Sequence, residues 1–287
     1  MGMNLVAGTE TWRVVETSTG RTRRWRDLAI AAIDSDVVFV GEQHDDPETH
    51  RVELRLFDEV ARRWRRRAVL AMEMFERDQQ AELDRYLAGK STAAELAARV
   101  KLWGNYETDY RPMVDLAKAR GIPVVGSNAP QRHVRRVGRE GLGALGQLPP
   151  AERGEVASVV QAPAGDAYWD RFKATMSGME GSHGMEGEAM LRRVYEAQCL
   201  RDDTMAESID RALAGGRRVF HVNGSFHSDG GLGTAARLRW RRPLGVRVLI
   251  VKVVPVQGDP AAADAKANAK EADWLVHVPD LRKPKGA

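Results

Sequence analysis

The sequence predicts an α/β fold: a mostly parallel sheet flanked by helices, with a helical subdomain inserted into it. Three observations carry that prediction. Short apolar, β-branched runs stop abruptly at ionisable residues: Val37-Val38-Phe39-Val40-Gly41 at Glu42 and His44, Val69-Leu70-Ala71-Met72 at Glu73, and Val219-Phe220-His221-Val222-Asn223-Gly224 just before His227. A parallel strand buried on both faces reads as such a run, and ligands of open α/β sheets bind beyond the carboxyl ends of the strands. Helical patterns alternate with these runs, the arrangement of βαβ units. From about residue 130 to 213 no convincing strand appears, and Gly141, Gly143, Gly146, Pro149 and Pro150 punctuate the stretch. The predicted organisation is a sheet domain over 1–130 and 214–287, with a helical insertion over 131–213.

The elements follow in order. Trp12 to Glu16 and a Thr-Ser-Thr-Gly turn read as a short hairpin, followed by a helix over 25–33. Strand 36–41 leads into helix 47–66, with Asp46 as N-cap and Pro47 at the first helical position. Val52, Leu56, Val60 and Trp64, spaced by four, are its apolar stripe. Strand 68–73 is followed by helices 77–88 and 92–101, the second opening on a Thr92-x-x-Glu95 capping box. Helix 110–120 ends at Gly121, and 122–126 is the third strand. Leu191, Val194, Tyr195, Gln198, Met205, Ile209 and Leu213 lie on or near one face of a long helix over 186–213. Strands 217–223, 246–254 and 274–278 complete the sheet. The Ala-, Asp- and Lys-rich stretch 258–272 reads as a surface loop or short helix.

Composition narrows the class. The chain has 287 residues, 43% of them hydrophobic and 29% charged, with a net charge of +4. No stretch approaches the roughly eighteen apolar residues a membrane helix needs. No apolar leader precedes Arg26, so the expectation is a cytoplasmic protein, or the mature form of an exported one. One cysteine, Cys199, excludes an internal disulfide. Arginines flank Trp64 and Trp240, and read as solvated helix ends with snorkelling side chains. No helix-turn-helix, zinc-finger or RNP pattern suggests nucleic acid.

The candidate chemistry gathers at the strand ends. Glu42 and His44, two apart, share a side of an extended chain, and His50 follows one turn into the next helix. A Glu–His pair can be a general base and its orienter, or two metal ligands. A carboxylate such as Glu73, buried beside a β-branched core, needs a partner, and His44 or His227 would supply one. Glu42, His44, Glu73 and His227 are therefore the candidate catalytic residues, and equally a candidate ligand set for a divalent metal ion. His221 reads as a hydrogen-bonded core histidine. The glycine-rich loop after His227 offers backbone N–H groups to an anion. Gly-x-Ser-x-Gly and His-Glu-x-x-His are both absent. In the helical insert, His183 sits among Met176, Met179, Met185 and Met190, downstream of Tyr168 and Trp169. A Met-rich segment is core filler, a mobile flap, or a surface for a flat apolar cofactor such as haem, with Tyr or His as axial ligand.

Taken in order, these stretches resemble the ChaN-like haem-binding uptake proteins, of a superfamily shared with the Tiki/TraB proteases and the erythromycin esterases. The matching residues are Gly41-Glu42-Gln43-His44-Asp45 with His50, Glu73-Met74-Phe75, Trp103 to Tyr110 with Pro112, and Val124 to Asn128. Ala197-Gln198 through Asp202 to Met205-Ala206 and Gly224 to His227 with Gly231 and Gly233 follow, so that the resemblance spans roughly 35–255. It implies haem binding, a tyrosine as iron ligand, and a homodimer enclosing the haems. It places Glu42, His44, Glu73 and His227 in a shared crevice. Tyr168 is the first choice for the haem tyrosine with His183 nearby, and Tyr106 and Tyr110 are the next. Arginines at the rim would pair with the haem propionates. The alternative reading is a hydrolase, metal-dependent like a protease or metal-free like an esterase, built on the same crevice.

Overall fold

A computed structural model describes residues 11–176 and 185–282. Its centre is an eight-stranded sheet in the order β2-β1-β8-β7-β3-β6-β4-β5. The strands are β1 (Arg13–Glu16), β2 (Arg21–Arg23), β3 (Val37–Glu42), β4 (Ala68–Glu76), β5 (Val124–Asn128), β6 (Arg218–Gly224), β7 (Val248–Val256) and β8 (Trp274–Pro279). The six strands from β8 to β5 run parallel, and the hairpin β1–β2 joins antiparallel to β8. Helices are α1 (Trp25–Asp34), α2 (Pro47–Trp64), α3 (Gln80–Leu87), α4 (Ala93–Arg99), α5 (Arg111–Arg120), α6 (Gln131–Glu140), α7 (Ala167–Met176), α8 (Met185–Ala212) and α9 (Gly233–Arg241). The mostly parallel sheet flanked by helices is as the sequence predicts.

Alternation along each strand divides the core in two. Val38, Val40, Leu70, Met72, Phe220, Val222 and Val251 face α1, α2 and the helices up to α5. Val37, Phe39, Val69, Ala71, Val219 and Ile250 face Ala206 and Ile209 of α8, Leu213 just after it, and Ala235 and Leu238 of α9. The end of α8, together with α9, is thus the layer that closes the sheet's second face. Helices α6 and α7 pack on α8 instead: Val134 and Val137 of α6 against Ala197 and Leu200, and Tyr168, Trp169 and Phe172 of α7 against Tyr195 and Cys199.

The predicted caps form. Asp46 accepts from the Thr49 amide at 3.0 Å and opens α2, and Gly121 takes the left-handed conformation (φ 64°) that ends α5. Two local expectations change. Strand β4 continues past Glu73 through an irregularity between Met72 and Glu76, the kind of bulge that re-aims side chains beside a site. Of the arginines around Trp240, Arg239 is exposed, but Arg237 and Arg241 are not solvated. Arg237 is buried, its Nε donating to Asp203 at 3.0 Å, and Arg241 donates to the other oxygen of Asp203 at 3.1 Å, so these cations clamp α9 to α8.

Candidate functional site

Strand β6 lies between β3 and β4, so Glu42 at the end of β3 and Glu73 in β4 reach in from either side of Gly224, the last residue of β6. Chain reversal after β3 brings His44 back over this junction, and the turn after β6 brings His227. The four residues singled out in the sequence share one crevice.

They form two carboxylate–imidazole assemblies. In the first, His44 Nδ1 donates to Glu42 Oε1, which also accepts the Tyr110 hydroxyl at 2.8 Å. Glu42 is buried, whereas the His44 side chain is 43% exposed, its ring edge-on to Trp103 with centroids 4.8 Å apart. Partial burial disfavours the charged form of His44. The hydrogen bond and charge of Glu42, with the charge of Glu73, outweigh this and raise its pKa above the ordinary value.

In the second, His227 stands between two acids. Its Nδ1 donates to Asp202 Oδ1 at 2.8 Å, and its Nε2 lies 3.3 Å from Glu73 Oε1. Glu73 Oε2 accepts the Gly224 amide at 2.8 Å. Burial works against every charge here. For His227 the two carboxylates win, and its pKa is pushed up to about 10. Burial likewise opposes ionisation of Glu73 and Asp202, but the imidazolium holds both below the ordinary carboxylate values.

A pH dependence follows. A raised imidazole pKa contributes stability that is complete below the unfolded-state value and is lost as pH rises through the folded value. Stability from His227 is therefore expected to decline progressively between pH 6.5 and about 10. Thermal melts across that range should show the decline in the wild type and a flatter profile in His227→Gln. Equal slopes would mean the ring is not charged in the folded protein.

Above the crevice opens a cavity of about 370 Å³. Glu42, His44, Gln198, Gly224, Ser225 and His227 form its polar floor and side, and Phe172, Met176 and Phe226 its apolar wall. His221 is not part of it. That ring sits in the sheet, between Ser127 Oγ at 3.1 Å and Asn223 Oδ1 at 3.0 Å, and burial lowers its pKa to about 4.

Other predicted site residues are placed differently. Tyr168 is buried and donates to Asp202 Oδ2 at 2.5 Å, so its oxygen does not face the cavity. Burial, then the Asp202 charge, raises its pKa well above the ordinary phenol value, which disfavours the phenolate an iron ligand needs. The chain's other tyrosines, Tyr86, Tyr106, Tyr110 and Tyr195, are buried too, and none lines the cavity. His183 lies outside the described residues. Among the described residues, no arginine lines the cavity. Arg171, behind Phe226, is held by Asp229 and Glu271. In the glycine-rich loop, Gly230 N–H donates to the Glu271 carbonyl and Gly231 N–H to that of Ser228, so these amides are not offered to an anion.

As a metal-ligand set, Glu42, His44, Glu73 and His227 fit poorly. Among the described residues they do not form a group whose ligand atoms lie within 4.8 Å of one another. The two nitrogens of His227 both face carboxylates, leaving no lone pair for a metal until a proton departs. Asp202 stands in the sequence only as part of a stretch matching the family, with no role attached. Yet a carboxylate in register with Gln198, Met205 and Ile209 on the buried face of a helix is the signal that could have found it.

A family model described as haem-binding uptake, Tiki superfamily, ChaN matches residues 28–238. Among solved structures, the chain is similar to ChaN of Campylobacter jejuni, described with cofacial haem binding, at 16% identity and a TM-score of 0.70. The match covers 92% of this chain and 96% of that one. It is also similar to a mutant of the erythromycin esterase EreC in its open conformation, at 12% identity and a TM-score of 0.52, covering 96% and 99%. At these identities the likeness is one of fold. No curated protein matches the chain in sequence.

Proposed function

The chain belongs to the haem-binding uptake (ChaN) family of the Tiki superfamily, and from that premise we propose that it binds haem or a related iron-porphyrin in the strand-end cavity. The observation that carries this reading is the two-sided lining. Phe172, Met176 and Phe226 offer an apolar wall to a flat macrocycle, and the half-exposed imidazole of His44 stands across from them. Haem sites combine these two features. His44 suits iron because Nδ1 is committed to Glu42, which fixes the tautomer and makes Nε2 the basic nitrogen. In this reading the ligand is a histidine, and Tyr168 serves only to hold Asp202. The cavity lies at the small end of the roughly 300–1,000 Å³ range of ligand sites, so part of the macrocycle would stand at the open mouth. A second copy of the chain covering that mouth is part of the proposal, as is a role in haem uptake or handling.

Titrating haemin into the haem-free protein should give a saturable, shifted Soret band at one haem per chain. His44→Ala should weaken binding at least as much as the roughly 10–100-fold typical of losing an outer-shell partner, and Tyr168→Phe should leave the spectrum unchanged. Affinity should rise with pH as Nε2 loses its proton. Unchanged binding in His44→Ala would remove His44 as ligand, and a titration with no saturable band would remove the haem reading.

One observation favours a second reading, a metal-free hydrolase. His44 on Glu42 has the makings of a general base, and the His227 imidazolium, braced by Asp202 and Glu73, is a fixed positive charge beside it. If haemin does not bind, while the haem-free protein hydrolyses an aryl ester and Glu73→Gln does not, this reading replaces the first. An inactive haem-free protein would discard it.

A further inference from the structure

Behind Glu42, on the side away from His44, lies a second group of ligand atoms. A carboxylate oxygen of Glu42, a ring nitrogen of His50 and a carboxylate oxygen of Glu53 lie within 4.8 Å of one another, all on buried residues. Strand β3 supplies the first, and the first two turns of α2 the others, three residues apart on one helix face.

Their hydrogen bonding is incomplete. Glu42 Oε1 is satisfied by His44 and Tyr110, but Glu42 Oε2 has no hydrogen-bond partner, nor has Glu53 Oε1. Glu42 is 2% exposed and Glu53 0%. Two buried carboxylates with orphaned oxygens are costly unless a cation or a proton joins them. Among the described residues, neither is paired with an arginine or lysine; the partner they share is His50.

The ring of His50 is anchored at one nitrogen and turned to the carboxylates with the other. Its Nε2 lies 3.2 Å from the His44 carbonyl, which can only accept, so Nε2 carries the proton. Nδ1 lies 3.0 Å from Glu53 Oε2 and 3.5 Å from Glu42 Oε2, so a metal that displaces any proton there meets all three ligand atoms together. A metal-bound histidine commonly donates its other ring N–H to a backbone carbonyl or a carboxylate. The Nε2 of His50 has the carbonyl at hand and Asp109 Oδ2 at 3.6 Å.

We propose that Glu42, His50 and Glu53 form a site for a divalent first-row transition ion, seated behind the strand-end crevice. One imidazole and two carboxylates suit Mn²⁺, Fe²⁺ or Zn²⁺ over Ca²⁺ or Mg²⁺, which prefer oxygen alone. The ion neutralises the buried carboxylates and fixes Glu42, hence the orientation of His44. Without it, a proton held by Glu53 takes its place: burial, then the charge of Glu42, raises the pKa of that carboxyl well above its ordinary value.

The test uses the haem-free, chelator-treated full chain, titrated with Mn²⁺ and separately with Zn²⁺. One equivalent should bind and raise the melting temperature. Affinity should fall by more than the roughly 10–100-fold of an outer-shell loss in Glu53→Gln, and should persist in Glu73→Gln, which alters the crevice only. Wild-type crystals soaked in Mn²⁺ should show an anomalous peak within coordination distance of His50 Nδ1, a readout independent of whether Glu53→Gln folds. Absence of a stoichiometric ion in the wild type would overturn the proposal in favour of the shared proton. So would a peak elsewhere, or binding lost in Glu73→Gln and kept in Glu53→Gln. No haem is present, so failure here leaves the haem reading untouched.

Discussion

Replacing Asp202 with alanine is expected to destabilise the protein by about 3–5 kcal/mol, the range for breaking a buried ion pair from one side. Asp202 is wholly buried and receives three donors: His227 Nδ1 at 2.8 Å, Thr234 Oγ1 at 2.8 Å and the Tyr168 hydroxyl at 2.5 Å. Alanine orphans all three and leaves the His227 charge facing Glu73 alone. Asp202→Asn keeps the volume and an acceptor, so it is expected to cost less, near the roughly 1–3 kcal/mol of an unsatisfied buried group. Denaturant melts of both variants measure the difference. A loss below about 1 kcal/mol in the alanine variant would mean that His227 is neutral in the fold. The same carboxylate sets the ring's position over the crevice, so the alanine variant should also lose ligand affinity, whichever ligand the cavity takes.

The sheet was legible because strands buried on both faces leave an apolar trace that needs no context. Val37 to Val40 and Val219 to Val222 could hardly be anything else. The crevice was legible for the same reason, since an ionisable residue ending such a run must lie at the sheet's rim. Helix α6 was hidden because Gln131 to Glu140 is dense in arginine and only His133, Val134 and Val137 are buried, too few to show a period. The antiparallel pairing of Val14 and Val15 with Val276 and Leu275 joins the two ends of the sequence, which no local pattern reports. In the site, chain-local pairs such as Glu42 and His44 could be read from spacing. Among partners supplied by other elements, His227 for Glu73 could be reached from the cost of a bare buried carboxylate, but others could not: Tyr110 reaches Glu42 across 68 positions. Asp202 reaches His227 across 25. The direction of the Tyr168 hydroxyl, towards Asp202, was hidden for a related reason, since sequence places the residue in a helical segment but does not say which way its side chain points.

Gly224→Ala should disable the site without substituting an ionisable group. The backbone there has φ −53° and ψ 135°, which alanine adopts without strain. The added methyl, however, would stand 2.7 Å from His44 Nε2 and 2.9 Å from its Cε1. One of the two must move, and the imidazole is the end of a half-exposed side chain, whereas the glycine backbone is fixed in β6 between β3 and β4. The ring is therefore expected to swing towards solvent, leaving Trp103 and its bond to Glu42. The stability cost should stay within the roughly 1–3 kcal/mol of overpacking, because an exposed position is available to the ring. Haemin affinity should fall as far as in His44→Ala, since Nε2 no longer faces the cavity, and under the hydrolytic reading the base is lost in the same way. A Gly224→Ala protein that binds haemin like the wild type would show that the ligand does not use His44 in the position it occupies over Gly224. A crystal structure of the variant would then show whether the ring had moved at all.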